Sequence, residues 1–125
     1  MYKLVIMIGP LDNWAAFDEA WPRFLHQVEN MPGLRREVTS RVDTILYGTA
    51  PVAFIHELHF DSLEAARQAM TSPSGSAAGK LLQAMTLGNV TLFLADHKED
   101  DLENILKFRQ ARPAEQGTDR ETPAA

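Results

Sequence analysis

Apolar positions along this chain change rhythm from short runs to a helical stripe and back again. Tyr2–Ile8 (YKLVIMI) is an apolar run closed by Gly9-Pro10, and this pattern predicts a strand. Trp14, Phe17, Trp21, Phe24, Leu25 and Val28 then recur at i, i+3, i+4 and i+7, which puts them on one side of a first helix. Asp12 or Asn13 suits its N-cap, and Gly33 suits its stop. The stripe runs through Pro22, so one kinked helix is expected rather than two. An extended segment over 34–47 follows, then the turn Gly48-Thr49-Ala50-Pro51 and a strand over 52–60. A second helical region over 62–85 reads as two pieces. Asp61 with Glu64 resembles a capping box before the first piece, and Ser74 suits the cap of the second after the break at Ser72-Pro73. Val90–Asp96 is the last strand. The resulting βαββαβ order predicts an α+β fold, ferredoxin-like, with a four-stranded antiparallel sheet.

The strands themselves suggest an assembly. Leu4, Ile6 and Ile8 make one face of the first strand apolar, and Val5 and Met7 do the same for the other. Val90, Leu92 and Leu94 oppose Phe93 and Ala95 in the last strand. A strand apolar on both faces expects cover on both. Helices supply one cover, and the sheet of a second copy supplies the other, so a homodimer joined through its sheet faces is expected.

At 125 residues the chain is long enough for one domain with its own core. The expected domain spans residues 1–97. A charged amphipathic stretch over 98–112 (Leu102, Ile105, Leu106, Phe108) reads as a helical extension. Residues 113–125, without apolar periodicity, read as a disordered tail. The net charge of −5 and the lack of a basic cluster argue against a nucleic-acid partner. The absence of cysteine removes disulfides and thiolate chemistry. The N-terminal apolar run is too short for a signal or a membrane span, so no membrane partner is expected and the cytoplasm is the default location.

Candidate chemistry centres on histidine. In a strand, His56 and His59 point to opposite faces, so His56-Glu57-Leu58-His59 is not a zinc motif, and no metal or cofactor is expected. His26 falls on the polar side of the first helix, and His97 lies in a loop. His56 shares parity with Phe54, Leu58 and Phe60, so it faces the helices near Trp21. There it is either a core histidine held by a hydrogen bond or a catalytic acid–base group in a pocket walled by Trp21, Phe24 and Phe54. On the other face, Arg41 is expected to compensate Glu57, beside His59, as a polar network in the dimer interior. The small residues Ser76-Ala77-Ala78-Gly79 permit close packing or leave room for a ligand.

Phe17 with Trp21, the turn Met31-Pro32-Gly33-Leu34, the segment 55–65 (IHELHFDSLEA), and Ser72-Pro73 followed by Ala77-Ala78-Gly79 together resemble the EthD family over residues 2–97. The resemblance implies a ferredoxin-like domain pairing into a dimeric α+β barrel. It also implies a role in the catabolism of small organic compounds, with no reaction established for the family. Phe24 stands where many EthD-like chains carry a histidine, and His59 where many carry an aromatic residue. Two functions follow. One is a cofactor-independent oxygenase or isomerase acting on a small hydrophobic carbonyl compound, with His56 as its polar group. The other is a non-enzymatic binding or accessory protein. Haem binding through a histidine is a weaker third.

Overall fold

The computed structural model describes residues 1–104 and 106. Its elements are β1 (Tyr2–Ile8), α1 (Trp14–Glu29), β2 (Arg36–Arg41), β3 (Phe54–Phe60), α2 (Leu63–Thr71), α3 (Pro73–Thr86) and β4 (Val90–Asp96). The strands form one antiparallel sheet in the order β2-β3-β1-β4, the ferredoxin-like arrangement. Register sets the faces. Leu4 pairs with Leu58 and Leu94, and Ile6 with His56 and Leu92, so the even-numbered apolar residues of these strands share one side. That side packs against Phe17, Phe24 and Val28 of α1, Ala66 and Ala69 of α2, and Ala78 and Leu82 of α3. The opposite side carries Lys3, Val5, Met7, Ile55, Glu57, His59 and Phe93, while α1, α2 and α3 all pack on the other side.

Helix ends follow local hydrogen bonding, with two departures from the sequence pattern. Asn13 caps α1, accepting from Ala16 N at 3.1 Å, and α1 runs unbroken through Pro22. Ser62, rather than Asp61, caps α2 through the Ala65 N–H at 3.0 Å. No capping box forms, since the third helical position is then Ala65 rather than Glu64. Ser72, rather than Ser74, caps α3 through the Gly75 N–H at 3.1 Å, which leaves Pro73 in the first turn where its missing N–H costs nothing. A Cβ on Gly75 would lie 2.1 Å from the Ala69 carbonyl oxygen, so this sharp junction requires glycine.

The extended segment predicted over 34–47 is cut to Arg36–Arg41. Val42 N–H still reaches Ala53 O at 3.0 Å, but the next positions of the ladder would oppose Val52 and Pro51. Pro51 has no N–H to give, and Gly48 turns the chain with φ +101°. Ile45, Leu46 and Tyr47 consequently project outward, Tyr47 at 98% exposure. Beyond β4, residues 98–101 of the expected helical extension are not helical, 102–104 and 106 are helical with Leu102 and Leu106 exposed, and 105, 107–112 and the whole of 113–125 lie outside the described residues. Among the described residues no helix is long and apolar enough to cross a membrane.

Candidate functional site: a sheet–helix cavity beside a buried histidine

Between the sheet and its helices lies a cavity of about 230 Å³, walled by Leu4, Ile6 and Leu58 from the strands, Phe24 and Val28 from α1, and Leu82 from α3. Its lining is almost wholly apolar, and Ser76 is the one residue there with a polar side chain. The cavity exists because α3 presents small residues to the sheet. Gly75, Ala78 and Gly79 line it, and a Cβ added to Gly79 would meet no atom within 4 Å. Of the run Ser76-Ala77-Ala78-Gly79, Gly79 leaves space rather than packing closely, whereas Gly75 just before the run packs tightly against Ala69. An outer groove of about 510 Å³ shares Gly79, Leu82 and Leu92 with the cavity. Leu92 sits on the helix-facing side yet is 47% exposed, which places the opening between α3 and β4.

His56 lies beside this cavity and is not among its lining residues. Its neighbours Ile6, across the strand pair, and Phe24, with ring centroids 6.2 Å apart, do line it. The Trp21 ring meets the imidazole edge-on at 5.1 Å and meets Phe54 at 5.1 Å. Of the three expected pocket walls, Phe24 alone borders the cavity, while Trp21 and Phe54 enclose the histidine instead.

Hydrogen bonding fixes the state of His56, which is 1% exposed. Nε2 lies 2.9 Å from Glu37 Oε1, and Nδ1 lies 2.9 Å from Thr39 Oγ1. An ionised carboxylate only accepts, so Nε2 carries the proton and donates to Glu37, and the Thr39 hydroxyl donates to Nδ1. Burial pushes the imidazole below its ordinary pKa, and the Glu37 hydrogen bond and charge only partly offset this. His56 is therefore a neutral base oriented by a carboxylate. Glu37 and Thr39 were not visible as its partners in the sequence, because the register of β2 on β3 was not. The alternation that places Glu37, Thr39 and Arg41 on one face was readable, and one pairing constraint would have joined them to His56.

The expected network on the other face is corrected by that same register. Arg41 pairs with Phe54 and lies on the helix side, its guanidinium 5.7 Å from the Phe54 ring centroid. Glu57 is instead compensated by Lys3, whose Nζ donates to it at 3.1 Å. Burial alone would raise the Glu57 pKa, but the Lys3 and His59 hydrogen bonds outweigh it and hold the carboxylate below its usual range. His59 Nε2 donates to Glu57 at 3.3 Å, so these two stay together as expected, and His97 packs edge-on against the His59 ring at 4.6 Å. His59 is 1% exposed, yet among the described residues its Nδ1 has no hydrogen-bond partner. His26 is exposed on α1, as its helical position implies. Among the described residues no three His, Asp or Glu side chains converge in a way that could hold a metal ion.

No family model matches the chain, and no curated protein matches it. Solved structures do. An ethyl tert-butyl ether D (EthD) family protein from Bacillus halodurans C-125 superposes with a TM-score of 0.72 at 25% identity, covering 78% of this chain and 99% of that one. The cofactor-independent oxygenase SnoaB from Streptomyces nogalater gives a TM-score of 0.60 at 15% identity, covering 79% and 94%. A dimeric ferredoxin-like protein of unknown function from Jannaschia sp. CCS1 gives 0.61 at 14% identity, covering 77% and 98%. The resemblance to the EthD family read from the sequence is thus borne out, as is the ferredoxin-like α+β fold. The two more distant likenesses speak to the fold alone.

Proposed function

We propose that this EthD-like chain holds a small, uncharged, apolar molecule in the cavity between its sheet and helices, and that it does so as a homodimer joined through the open sheet faces. The observation that carries the reading is the 230 Å³ apolar cavity kept open by Gly79. An apolar cavity of about 150 Å³ takes up benzene, so this one has room for a somewhat larger branched or aromatic compound. A glycine inside a helix costs about 1 kcal/mol relative to alanine, and no steric clash demands one at position 79. The space above the cavity is what a side chain there would remove. The relative from Bacillus halodurans carries a small branched ether in its family name, a molecule of this size class.

The dimer rests on the open face. Val5, Met7, Ile55 and Phe93 make it apolar, Phe93 is 43% exposed on a single chain, and the Jannaschia protein of the same fold is described as dimeric. A second reading is catalysis on the bound molecule, as a cofactor-independent oxygenase or isomerase. Its support is the neutral His56 base behind the Phe24 wall.

Calorimetric titration of the full chain with small ethers, ketones and alkylbenzenes tests the binding reading. Saturable binding of at least one class is expected, weakened at least tenfold by Gly79→Leu, which fills the mouth. No binding across the panel, or binding indifferent to Gly79→Leu, would overturn it. His56→Gln separates the second reading: turnover of the bound compound should vanish while its affinity stays within about twofold.

A further inference from the structure

The alternation of β2 gives its helix-facing side the sequence Glu37, Thr39, Arg41, and His56 of β3 lies directly against it, with Thr39 as its cross-strand partner. The chain of hydrogen bonds is continuous: Thr39 Oγ1–H to His56 Nδ1 at 2.9 Å, then His56 Nε2–H to Glu37 Oε1 at 2.9 Å. A hydroxyl, a neutral imidazole and a carboxylate in that order form a nucleophile, a general base and the group that steadies the base once charged. The two ends differ in access. His56 is sealed beneath Trp21 and Phe24, whereas Thr39 is exposed on the terminal strand of the sheet.

We propose that Thr39 is a nucleophile for acyl transfer from small esters, activated by His56 and Glu37 at the free edge of the sheet. The edge also supplies donors for a developing oxyanion. Val42 N–H bonds to Ala53 O across the β2–β3 pair. Since backbone groups alternate along an antiparallel strand, the N–H groups of Thr39 and Arg41 point the other way, out along the free edge. The Arg41 guanidinium lies over Phe54, and no carboxylate among the described residues is within ion-pair distance of it. Arg41 follows Thr39 by two residues on the same face of β2, which makes it a candidate cation for the oxyanion. The Trp21 and Phe54 rings flank the site and suit a short or aromatic acyl group.

The reaction balances without a cofactor. Thr39 Oγ1 bonds to the ester carbonyl carbon as its proton passes to His56 Nδ1, and the carbonyl oxygen takes the negative charge, met by the Thr39 N–H and Arg41. Collapse breaks the bond to the alcohol oxygen, which takes the proton back from His56 and leaves. Water then adds to the acyl-Thr39 with His56 again as base, releasing the carboxylic acid and restoring the hydroxyl. Glu37 is a positioning residue throughout, holding the imidazole with Nδ1 toward the hydroxyl. None of Glu37, Thr39 and His56 lines the sheet–helix cavity, so this chemistry does not depend on what that cavity holds.

The test uses the full chain and 4-nitrophenyl acetate, with rapid-mixing absorbance and peptide mapping. A burst of nitrophenolate is expected, with the acetyl group on the peptide that contains Thr39. Thr39→Ala, at an exposed position, should fold normally and lose the burst by at least about 100-fold. Thr39→Ser should keep it. Glu37→Gln should slow the burst and change its pH profile, a response that a merely structural carboxylate would not give. Acetyl found only on lysine or the terminal amine would overturn the proposal. So would a burst in Thr39→Ala equal to that of the parent chain.

Discussion

His56 and His59 stand three residues apart on β3, both 1% exposed, and on opposite faces of one sheet. For His56 the chain supplies everything a buried imidazole needs: Glu37 on one nitrogen, Thr39 on the other and aromatic rings around it. For His59 the chain supplies Glu57 on Nε2 and the His97 ring against its own, and among the described residues Nδ1 has no partner. The same contrast holds for the apolar residues. Ile6, on the helix side of β1, lies in a core built from all three helices, whereas Val5, on the other side, is 6% exposed and lies outside that core. One face is covered by the helices of its own chain, with an apolar cavity between them and the sheet. The other is unfinished in the way a surface awaiting a second copy is unfinished.

Changes on the finished face should act on folding. Phe24→Ala removes a side chain that walls both the cavity and His56, and it should lower unfolding free energy by about 3–5 kcal/mol in urea denaturation, with the assembly state unchanged. Changes on the unfinished face should act on association. Phe93→Glu sets like charges against each other in a symmetric contact and should weaken the dimer by several kcal/mol while a single chain keeps its circular dichroism. Leu92→Glu, one residue along on the helix side, should leave the mass as it was. If Leu92→Glu dissociated the protein and Phe93→Glu did not, the assignment of faces would be reversed.

Acid sharpens the contrast with a smaller effect. Burial lowers the pKa of both histidines below the ordinary 6.5. The unfolded chain therefore takes up protons first as pH falls through 6.5, and stability drops from there down to the folded values. His56→Gln should flatten this slope by at most about 1.4 kcal/mol per pH unit in urea titrations between pH 7 and 5, with association untouched. His59→Gln should flatten it too and should also make association less sensitive to acid. The smallest effect belongs to the cavity mouth. Gly79→Ala should raise stability by about 0.4–1 kcal/mol, since no contact opposes the added Cβ, while it narrows the way to the cavity.

The sequence made the fold legible because its signals are local. The stripe from Trp14 to Val28 and the doubly apolar Tyr2–Ile8 each lie within one element, and each element formed. The site was legible by halves. Strand parity alone put His56 among apolar residues facing the helices, and separated it from His59. Partners across strands were not legible, since they depend on a register that the long 42–53 connection leaves open. Arg41 was assigned to Glu57, whereas the fold pairs it with Phe54 and gives Glu57 to Lys3. Asn13 caps α1 as the sequence allowed, but the caps of α2 and α3 were missed by one and two residues: Asp61, Ser62, Ser72 and Ser74 can all cap, and tertiary packing chooses among them.

The claim beneath these expectations is that the open sheet face of one chain is closed by the same face of another. Sedimentation equilibrium of the full chain at micromolar concentration tests it directly. The account predicts a mass twice that of the 14.0 kDa chain. A single-chain mass that stays constant as concentration is raised would contradict it.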